Sequence, residues 1–357
     1  MEASTDPKPA PFQVLDLAPG RRHVVVDGYG AFVGKKSERL VVRGRDGESA
    51  EVPFHDLERV TVATAGASIS SDAVQACCEE GVQIDFLASN GHPYAKVTSP
   101  TLMATIVTRR EQLLAFADQR GVAVAKTLVT CKVRNQANLL KRLARSRRET
   151  KTDIYTGIHQ GAAAMEVILA EIAALKAKNV DACRPSLLSA EGRAGHIYWD
   201  LVARLVEGKV EFPGREHRGA TDPLNAMLNY GYGILYQQAW GALLLAGLEP
   251  FAGFIHVDRP GKPSLVLDFV EVFRQPVVDR AVLASLGKGF EPSLDEEGRL
   301  DQVTRRKVAD RVLTRLEDTE PYGGKKQHVR AIVQMEARAL ATALRGEAPY
   351  RGWVCPW

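Results

Sequence analysis

The spacing of hydrophobic positions changes near residue 100, and each side of the change predicts a different kind of structure. Between His23 and residue 100, short runs rich in β-branched residues alternate with glycines, which is typical of strands joined by turns. Asn90-Gly91 lies between two such runs and predicts a β-hairpin. Within this half, residues 70–81 predict a helix that ends at Gly81.

Apolar residues beyond Pro100 recur at helical spacing, which predicts a mostly helical second half. The periodic stretches cover residues 105–148, 152–178 and 186–207. Asp222-Pro223 predicts the capped start of a further helix, and Pro276 is expected to kink or end the helix that contains it. The predicted fold class is therefore α+β, with a small N-terminal β-rich domain followed by a larger all-α C-terminal domain.

The same changes in texture predict the domain boundaries. Residues 1–20, which begin with a polar and proline-containing stretch, are expected to form a flexible tail. Residues 21–100 are then expected to form the β-rich domain and residues 101–345 the helical domain. Residues 346–357 are expected to form a C-terminal tail.

Composition narrows the functional classes without choosing one. The chain has 357 residues, of which 45% are hydrophobic and 25% charged, as expected of a globular protein. It has neither an apolar run of about eighteen residues nor a signal pattern, so we expect a cytoplasmic protein without a membrane segment. Five scattered cysteines predict no disulfide framework. The glycines of Gly30–Ser37 are wrongly spaced for a phosphate-binding loop, so no nucleotide cofactor is expected.

Positive charge is concentrated in the helical half, although the formal net charge is only +4. One basic group extends from Lys132 to Arg148, and a second from Arg305 to Lys307. Such groups can follow a phosphate backbone. A solvated helix face is the simpler interpretation of each group taken alone.

Glu191 interrupts an apolar helical stripe, and a carboxylate in that position needs a partner. The stripe is formed by Leu187, Ala194, Tyr198, Val202 and Leu205. A buried and unpaired charge is so unfavourable that such a group is normally neutralised, ion-paired or bound to a metal. Arg193 and Arg218 are candidates for an ion pair with Glu191, and a metal ion is the alternative.

A second acidic group follows a histidine further along the chain. If residues 264–275 form a helix, one ridge carries Ser264, Asp268, Glu271 and Gln275. Several oxygen ligands and one nitrogen from His256 suit Mg²⁺ or Mn²⁺ better than zinc. Taken alone, the two carboxylates are more typical of a solvated face, and the histidine of a satisfied core or loop residue. Only their combination with Glu191 favours a metal site.

Five segments of the helical half carry a recognisable combination of motifs: Leu188–Gly192, Asp222–Tyr232, Gly247–Pro250, Gly253–His256 and Ser264–Arg274. Together they resemble the CRISPR-associated spacer integrase and endonuclease family, here called the Cas-one family. The resemblance extends upstream through Val52–Glu58 and Arg110–Gln112, so it covers nearly everything after the N-terminal tail. It implies a β domain that serves dimerisation and an α domain that carries catalysis.

The resemblance also implies a metal-dependent DNA endonuclease and integrase of CRISPR adaptation. Glu191, His256 and Glu271 would coordinate Mg²⁺ or Mn²⁺, and Asp268 would lie beside them and share in catalysis. Many relatives carry aspartate where Glu271 stands. Family members hold double-stranded DNA fragments as homodimers, usually two dimers bridged by a dimer of a small partner protein, Cas-two. They insert these fragments into the repeat array by attack of a 3′-hydroxyl on a phosphodiester.

Residues near this site in the sequence are candidates for contacts with DNA. Arg218, Lys262 and Arg274 could clamp phosphates, and ion pairs with the acidic cluster are the alternative. The predicted DNA-contacting set is completed by Tyr198, Asn225 and Tyr232. The competing hypothesis for the whole chain is a non-catalytic DNA-binding scaffold in which the acidic cluster is a structural ion-pair network.

Overall fold

A computed structural model of the chain describes residues 10–18, 20–88, 90–99, 106–216 and 220–356. The chain divides into two compact units, with the boundary between Leu102 and Met103. The strands of the first unit are β1 (Phe12–Ala18), β2 (Arg21–Val26), β3 (Phe32–Lys36), β4 (Arg39–Arg43), β5 (Ser49–Pro53), β6 (Leu57–Val62), β7 (Ser68–Ile69), β8 (Gln83–Leu87) and β9 (Pro93–Val97). Its helix is α1 (Ser71–Glu79).

The first unit contains two sheets with a shared apolar core. One sheet has the order β1-β2-β6-β8-β9, and the other the order β5-β4-β3-β7. Alternating side chains of the strands, such as Val24, Val60 and Leu40, are buried in this core. The predicted hairpin is present, because β8 and β9 pair antiparallel around Asn90-Gly91.

The prediction of a flexible tail is wrong for residues 12–18. Phe12–Ala18 form β1, which pairs antiparallel with β2. The physical reason is an alternation that the sequence analysis overlooked: Phe12 and Val14 are partly buried and pack against the apolar core.

Helices dominate the second unit, which confirms the α+β class. They are α2 (Ile106–Ala115), α3 (Gln119–Ala144), α4 (Thr152–Ala174), α5 (Val180–Val206), α6 (Pro223–Leu245), α7 (Ser264–Val270), α8 (Arg280–Gly287), α9 (Gln302–Glu317) and α10 (Val329–Leu344). A turn of π-helix at Arg274–Asp279 precedes α8. The unit also holds a short hairpin that the sequence analysis did not predict, made of β10 (Thr319–Tyr322) and β11 (Lys325–His328).

Side-chain caps decide where several of these helices begin. The predicted helical stretch 105–148 is interrupted, because Asp118 caps α3 by accepting a hydrogen bond of 2.8 Å from the backbone N–H of Arg120. Asn179 caps α5 in the same way, which starts that helix before Pro185. Asp222 caps α6 and Pro223 is its first residue, as predicted.

The C-terminal segment, residues 346–356, packs against α3 and is not a loose tail. Trp353 and Cys355 are buried, and both are held by the side chain of Asn135 on α3. The Asn135 amide donates to the Trp353 carbonyl at 3.1 Å, and its oxygen accepts from the Cys355 N–H at 2.8 Å. Among the described residues, no helix is both long and apolar enough to cross a membrane.

Candidate active site

Glu191 and Glu271 point at the same nitrogen atom. Lys132 Nζ on α3 donates to Glu191 Oε1 on α5 at 2.5 Å, and it lies 2.6 Å from Glu271 Oε2, one residue after α7. The predicted need of Glu191 for a partner is therefore met by Lys132. Arg193, the first candidate, instead pairs with Glu171. Arg218, the second, lies outside the described residues.

Glu271 is held as an anion by two cations. Its side chain is buried, and Arg274 Nη1 lies 2.7 Å from Oε1, on the other side from Lys132. Burial alone would raise the pKa of the Glu271 carboxyl, but the charges of Arg274 and Lys132 outweigh burial and hold that pKa well below its usual range. The two carboxylates likewise outweigh burial at Lys132 and raise its pKa, so the ammonium stays charged.

Asp268 orients the ring of His256. The Asp268 carboxylate has no exposed surface and accepts backbone N–H groups from Phe254, Ile255 and His256 at 2.6, 2.9 and 2.9 Å. Its Oδ1 also lies 2.6 Å from His256 Nδ1. A Cβ on Gly253 would lie 2.8 Å from Asp268 Oδ2, so the absence of a side chain at Gly253 lets the loop wrap this carboxylate.

This contact leaves the other ring nitrogen of His256 available. We assign the proton to Nδ1, which donates to Asp268, because a carboxylate can only accept. Nε2 then carries a lone pair, and it has no hydrogen-bond partner among the described residues. The ring remains about a quarter exposed. Metal-ligating histidines usually donate their other ring N–H to a carboxylate or a carbonyl, and His256 has this arrangement.

The predicted acidic ridge divides between two neighbouring elements. α7 ends at Val270, and Glu271 is its C-cap residue with helical backbone angles. Asp268 is directed at the loop before α7, whereas Glu271 is directed at α3. Asp268 therefore positions His256 from behind and does not present a free oxygen to a shared metal.

The side chains that converge here are of the chemical kind that binds a divalent ion, but they are not arranged as a metal site. In the part of the chain that the structure describes, no three His, Cys, Asp or Glu side chains are grouped closely enough to hold a metal. Lys132 lies between two of the predicted ligands. Its contact with Glu271 Oε2 is ionic, and that buried oxygen has no hydrogen-bond partner. Two carboxylates aimed at one cationic position are oxygen donors of the kind that Mg²⁺ or Mn²⁺ prefers, and the charge of His256 helps to lower the pKa of Glu271.

Most predicted DNA contacts have other roles in the structure. Tyr198 is fully buried and donates to Asp279 at 2.7 Å. Asn225 has no exposed surface, and its amide donates to Asp222 and accepts from Arg215. The predicted DNA contacts of Tyr198 and Asn225 are therefore incompatible with their burial.

Tyr232 and Arg274 share one buried arrangement. The Tyr232 hydroxyl donates to Asp279 at 2.5 Å, and the Arg274 guanidinium stacks on the Tyr232 ring, with 4.7 Å from its carbon to the ring centroid. Arg274 is thus ion-paired with Glu271 and packed on an aromatic face, which was the alternative to a phosphate clamp. Lys262 lies half-buried in the turn before α7.

The sequence analysis missed the inward role of Lys132. It assigned this residue to the basic group that extends to Arg148, yet only 14% of the Lys132 side chain is exposed. The signal was present in the helical period, because Lys132 lies one turn from the buried Leu128, Val129 and Gln136.

Comparisons with known proteins agree with the resemblance found in the sequence. The family model described as CRISPR associated protein Cas1 matches residues 24–313. A CRISPR-associated endonuclease Cas1 from Archaeoglobus fulgidus is 36% identical over 345 residues, which cover 94% of this chain and 99% of that protein.

Two solved structures share the fold. A casposase bound to an integration product has a TM-score of 0.77 and 23% identity, with 91% of each chain covered. A Cas6-RT-Cas1–Cas2 complex has a TM-score of 0.75 and 20% identity over 96% of this chain and 37% of that longer chain.

Proposed function

The chain belongs to the Cas1 family of CRISPR-associated proteins, and we propose that it is a divalent-metal-dependent DNA endonuclease and integrase of CRISPR adaptation. In the proposed reaction, a DNA 3′-hydroxyl attacks a phosphodiester of the repeat array and a captured fragment is joined to it. In hydrolysis, water takes the place of the hydroxyl. The observation that carries the proposal is the convergence of Glu191 and Glu271 on one cationic position.

Each residue of the site has a distinct task in this proposal. Glu191, Glu271 and His256 would hold Mg²⁺ or Mn²⁺. The ion would supply positive charge where the phosphoryl and leaving oxygens become more negative. Asp268 keeps the proton on His256 Nδ1 and so directs the lone pair of Nε2 to the ligand position. Arg274 keeps Glu271 ionised and holds its carboxylate in one orientation.

DNA and a second protein are the partners we propose. Exposed arginines on and after the last turns of α3, namely Arg134, Arg142 and Arg148, present positive charge that a DNA backbone could neutralise. The similar solved structures are described as a casposase with an integration product and as a complex that contains Cas2. From the family we infer a homodimer, with two dimers bridged by a Cas2 dimer on double-stranded DNA.

Glu191→Gln tests the proposal. The variant keeps the size of the side chain and an acceptor for Lys132, but it removes the negative charge that would bind the ion. We expect joining of a short duplex to a repeat-bearing plasmid in Mn²⁺, with Cas2 present, to fall by about a hundredfold or more. Glu171→Gln is the matched control, because Glu171 forms an exposed ion pair on α4. Undiminished joining by Glu191→Gln would contradict the proposal.

The second candidate function is a DNA-binding scaffold whose acidic cluster is structural. It is favoured by one observation: Lys132 and Arg274 already balance the charges of Glu191 and Glu271. A scaffold should show no change in melting temperature on addition of Mn²⁺. A metal site should be stabilised by mass action, by about 2.7 kcal/mol at a hundred times the dissociation constant.

A further inference from the structure

Lys132 occupies the position between the two carboxylates that a metal ion would need. Nζ lies within 2.6 Å of Glu191 Oε1 and of Glu271 Oε2. Mg²⁺ binds such oxygens at about 2.0–2.1 Å. An ion bound to both oxygens would therefore have to share its position with a like charge. The ammonium and the ion cannot occupy the site together.

The charges of the four side chains show why the two carboxylates need a cation between them. Glu191 and Glu271 contribute two negative charges, and Lys132 and Arg274 contribute two positive charges. If Lys132 were absent, the carboxylates would face each other across a poorly solvated space with only Arg274 to offset them. The cost of such an unpaired buried charge is large. Lys132 therefore stabilises the metal-free protein.

We propose that Lys132 is an exchangeable cation of the active site: it holds Glu191 and Glu271 together until a divalent ion replaces it, and its ammonium then contacts the phosphodiester. This inference rests on the proposed function. It adds a residue that competes with the metal in the resting protein and binds DNA phosphate in the loaded one.

The side chain of Lys132 is suited to this exchange, and that of Arg274 is not. Lys132 has a flexible stem of four methylene groups, and 14% of its side-chain surface remains in contact with solvent. Its backbone is fixed, because the neighbouring Asn135 on α3 binds the Val272 carbonyl beside Glu271 at 2.8 Å. Arg274 is ion-paired to Glu271 and stacked on Tyr232, which keeps it in place.

Charge balance during the reaction supports a phosphate contact for the displaced ammonium. A divalent ion, Lys132 and Arg274 bring four positive charges, and the two glutamates bring two negative charges. In the transition state the phosphoryl group under attack carries about two negative charges, so these six groups together are close to neutral. Without Lys132 this balance would be lost at the moment when negative charge increases.

Lys132→Gln tests the competition, with Lys126→Gln as the matched control. Lys126 also lies on α3, is half-buried, and donates to the carbonyls of Ala173 and Leu175 at 2.9 and 2.8 Å, away from the site. We expect Lys132→Gln to bind Mn²⁺ about tenfold more tightly than the wild type by calorimetry without DNA, since no ammonium must first leave. At saturating Mn²⁺ it should join DNA about a hundredfold more slowly. Lys126→Gln should change neither.

Chemical labelling of the wild-type protein provides a test that does not depend on the folding of a variant. An amine-acylating reagent followed by peptide mass spectrometry measures the reactivity of each lysine. Mn²⁺ should raise the labelling of Lys132 several-fold as its ammonium leaves the carboxylates, and leave Lys126 unchanged. The inference is overturned if Mn²⁺ binds and Lys132 labelling stays constant, or if Lys132→Gln binds Mn²⁺ no more tightly. Absence of Mn²⁺ binding to both wild type and variant would overturn the metal dependence of the proposed function itself.

Discussion

Replacement of Asp268 by asparagine is expected to remove metal binding more completely than it removes stability. The buried carboxylate accepts from Phe254 and Ile255 through Oδ2, and from the backbone and Nδ1 of His256 through Oδ1. Asparagine has nearly the same shape, but one of its two terminal atoms is an amide nitrogen that cannot accept a hydrogen bond. The outcome depends on which pair of donors this nitrogen faces.

The four donors decide the orientation of the new amide. If the amide nitrogen faces Phe254 and Ile255, two buried backbone N–H groups lose their acceptor. If it faces His256, only the His256 backbone N–H loses its acceptor, because the imidazole can move its proton from Nδ1 to Nε2 and then accept at Nδ1. Each such N–H costs about 1–3 kcal/mol, so the second orientation is favoured and the free energy of unfolding should fall by about that amount.

The favoured orientation also removes a metal ligand. With the proton on Nε2, His256 offers no lone pair to an ion at the site, and its ring loses the carboxylate that fixed it. We expect Mn²⁺ affinity to fall by about 10–100-fold, and DNA joining by at least as much.

Urea denaturation and calorimetric titration with Mn²⁺ check both parts. Asp258→Asn is the control, because Asp258 lies in the same loop and accepts from Ser264 Oγ at 2.6 Å. Asp258→Asn should keep Mn²⁺ affinity within about threefold of wild type. An Asp268→Asn protein that is destabilised by 1–3 kcal/mol, yet binds Mn²⁺ as wild type does, would refute the positioning role.

Two further predictions concern the surroundings of the site. Burial raises the pKa of the Asp279 carboxyl to about 6, although hydrogen bonds from its two tyrosine partners act in the opposite direction. The contribution of this carboxyl to the free energy of unfolding is therefore fully present below pH 4 and is lost as the pH rises through 6. Asp279→Asn should abolish this loss, which is roughly 3 kcal/mol, as measured by urea denaturation between pH 4 and pH 8; an unchanged pH profile would contradict it. Asn135→Ala should cost at least about 3 kcal/mol, because Val272, Trp353 and Cys355 lose a buried partner. In the same assay Asn138→Ala should cost about 1 kcal/mol, because it removes only one hydrogen bond, to the Cys355 carbonyl. Equal losses of stability in the two variants would contradict this prediction.

Local patterns were sufficient for the elements whose formation depends on neighbours in the sequence. The Asn90-Gly91 hairpin and the Asp222-Pro223 helix start were predicted, because a turn and a helix cap are made by residues close in the chain. Strand β1 was missed because its alternating apolar residues directly follow a polar, proline-containing stretch and were assigned to the same tail. The break at Asp118 was missed because a cap inside a long periodic stretch does not interrupt the apolar spacing.

Only part of the candidate site could be predicted from the sequence. Glu191 was singled out because a charge on an apolar stripe violates the helical pattern, and that violation is visible locally. Its partner Lys132 is 59 residues away, so no spacing rule connects the two. Asp268 and Glu271 were placed on one ridge, but the spacing did not show that one contacts His256 in the loop before α7 and the other contacts Lys132 on α3.

By itself, the sequence determined the α+β class, the family and the need of Glu191 for a partner, because periodicity, motifs and burial of charge act over short stretches. Only the tertiary structure decided which charges meet. An ion pair forms between groups that the packing of α3, α5 and the turn after α7 brings within a few ångströms. The energy of that pair depends on burial, which no local pattern specifies. That is why Lys132 became visible as the resident cation between two glutamates only once the helices were packed.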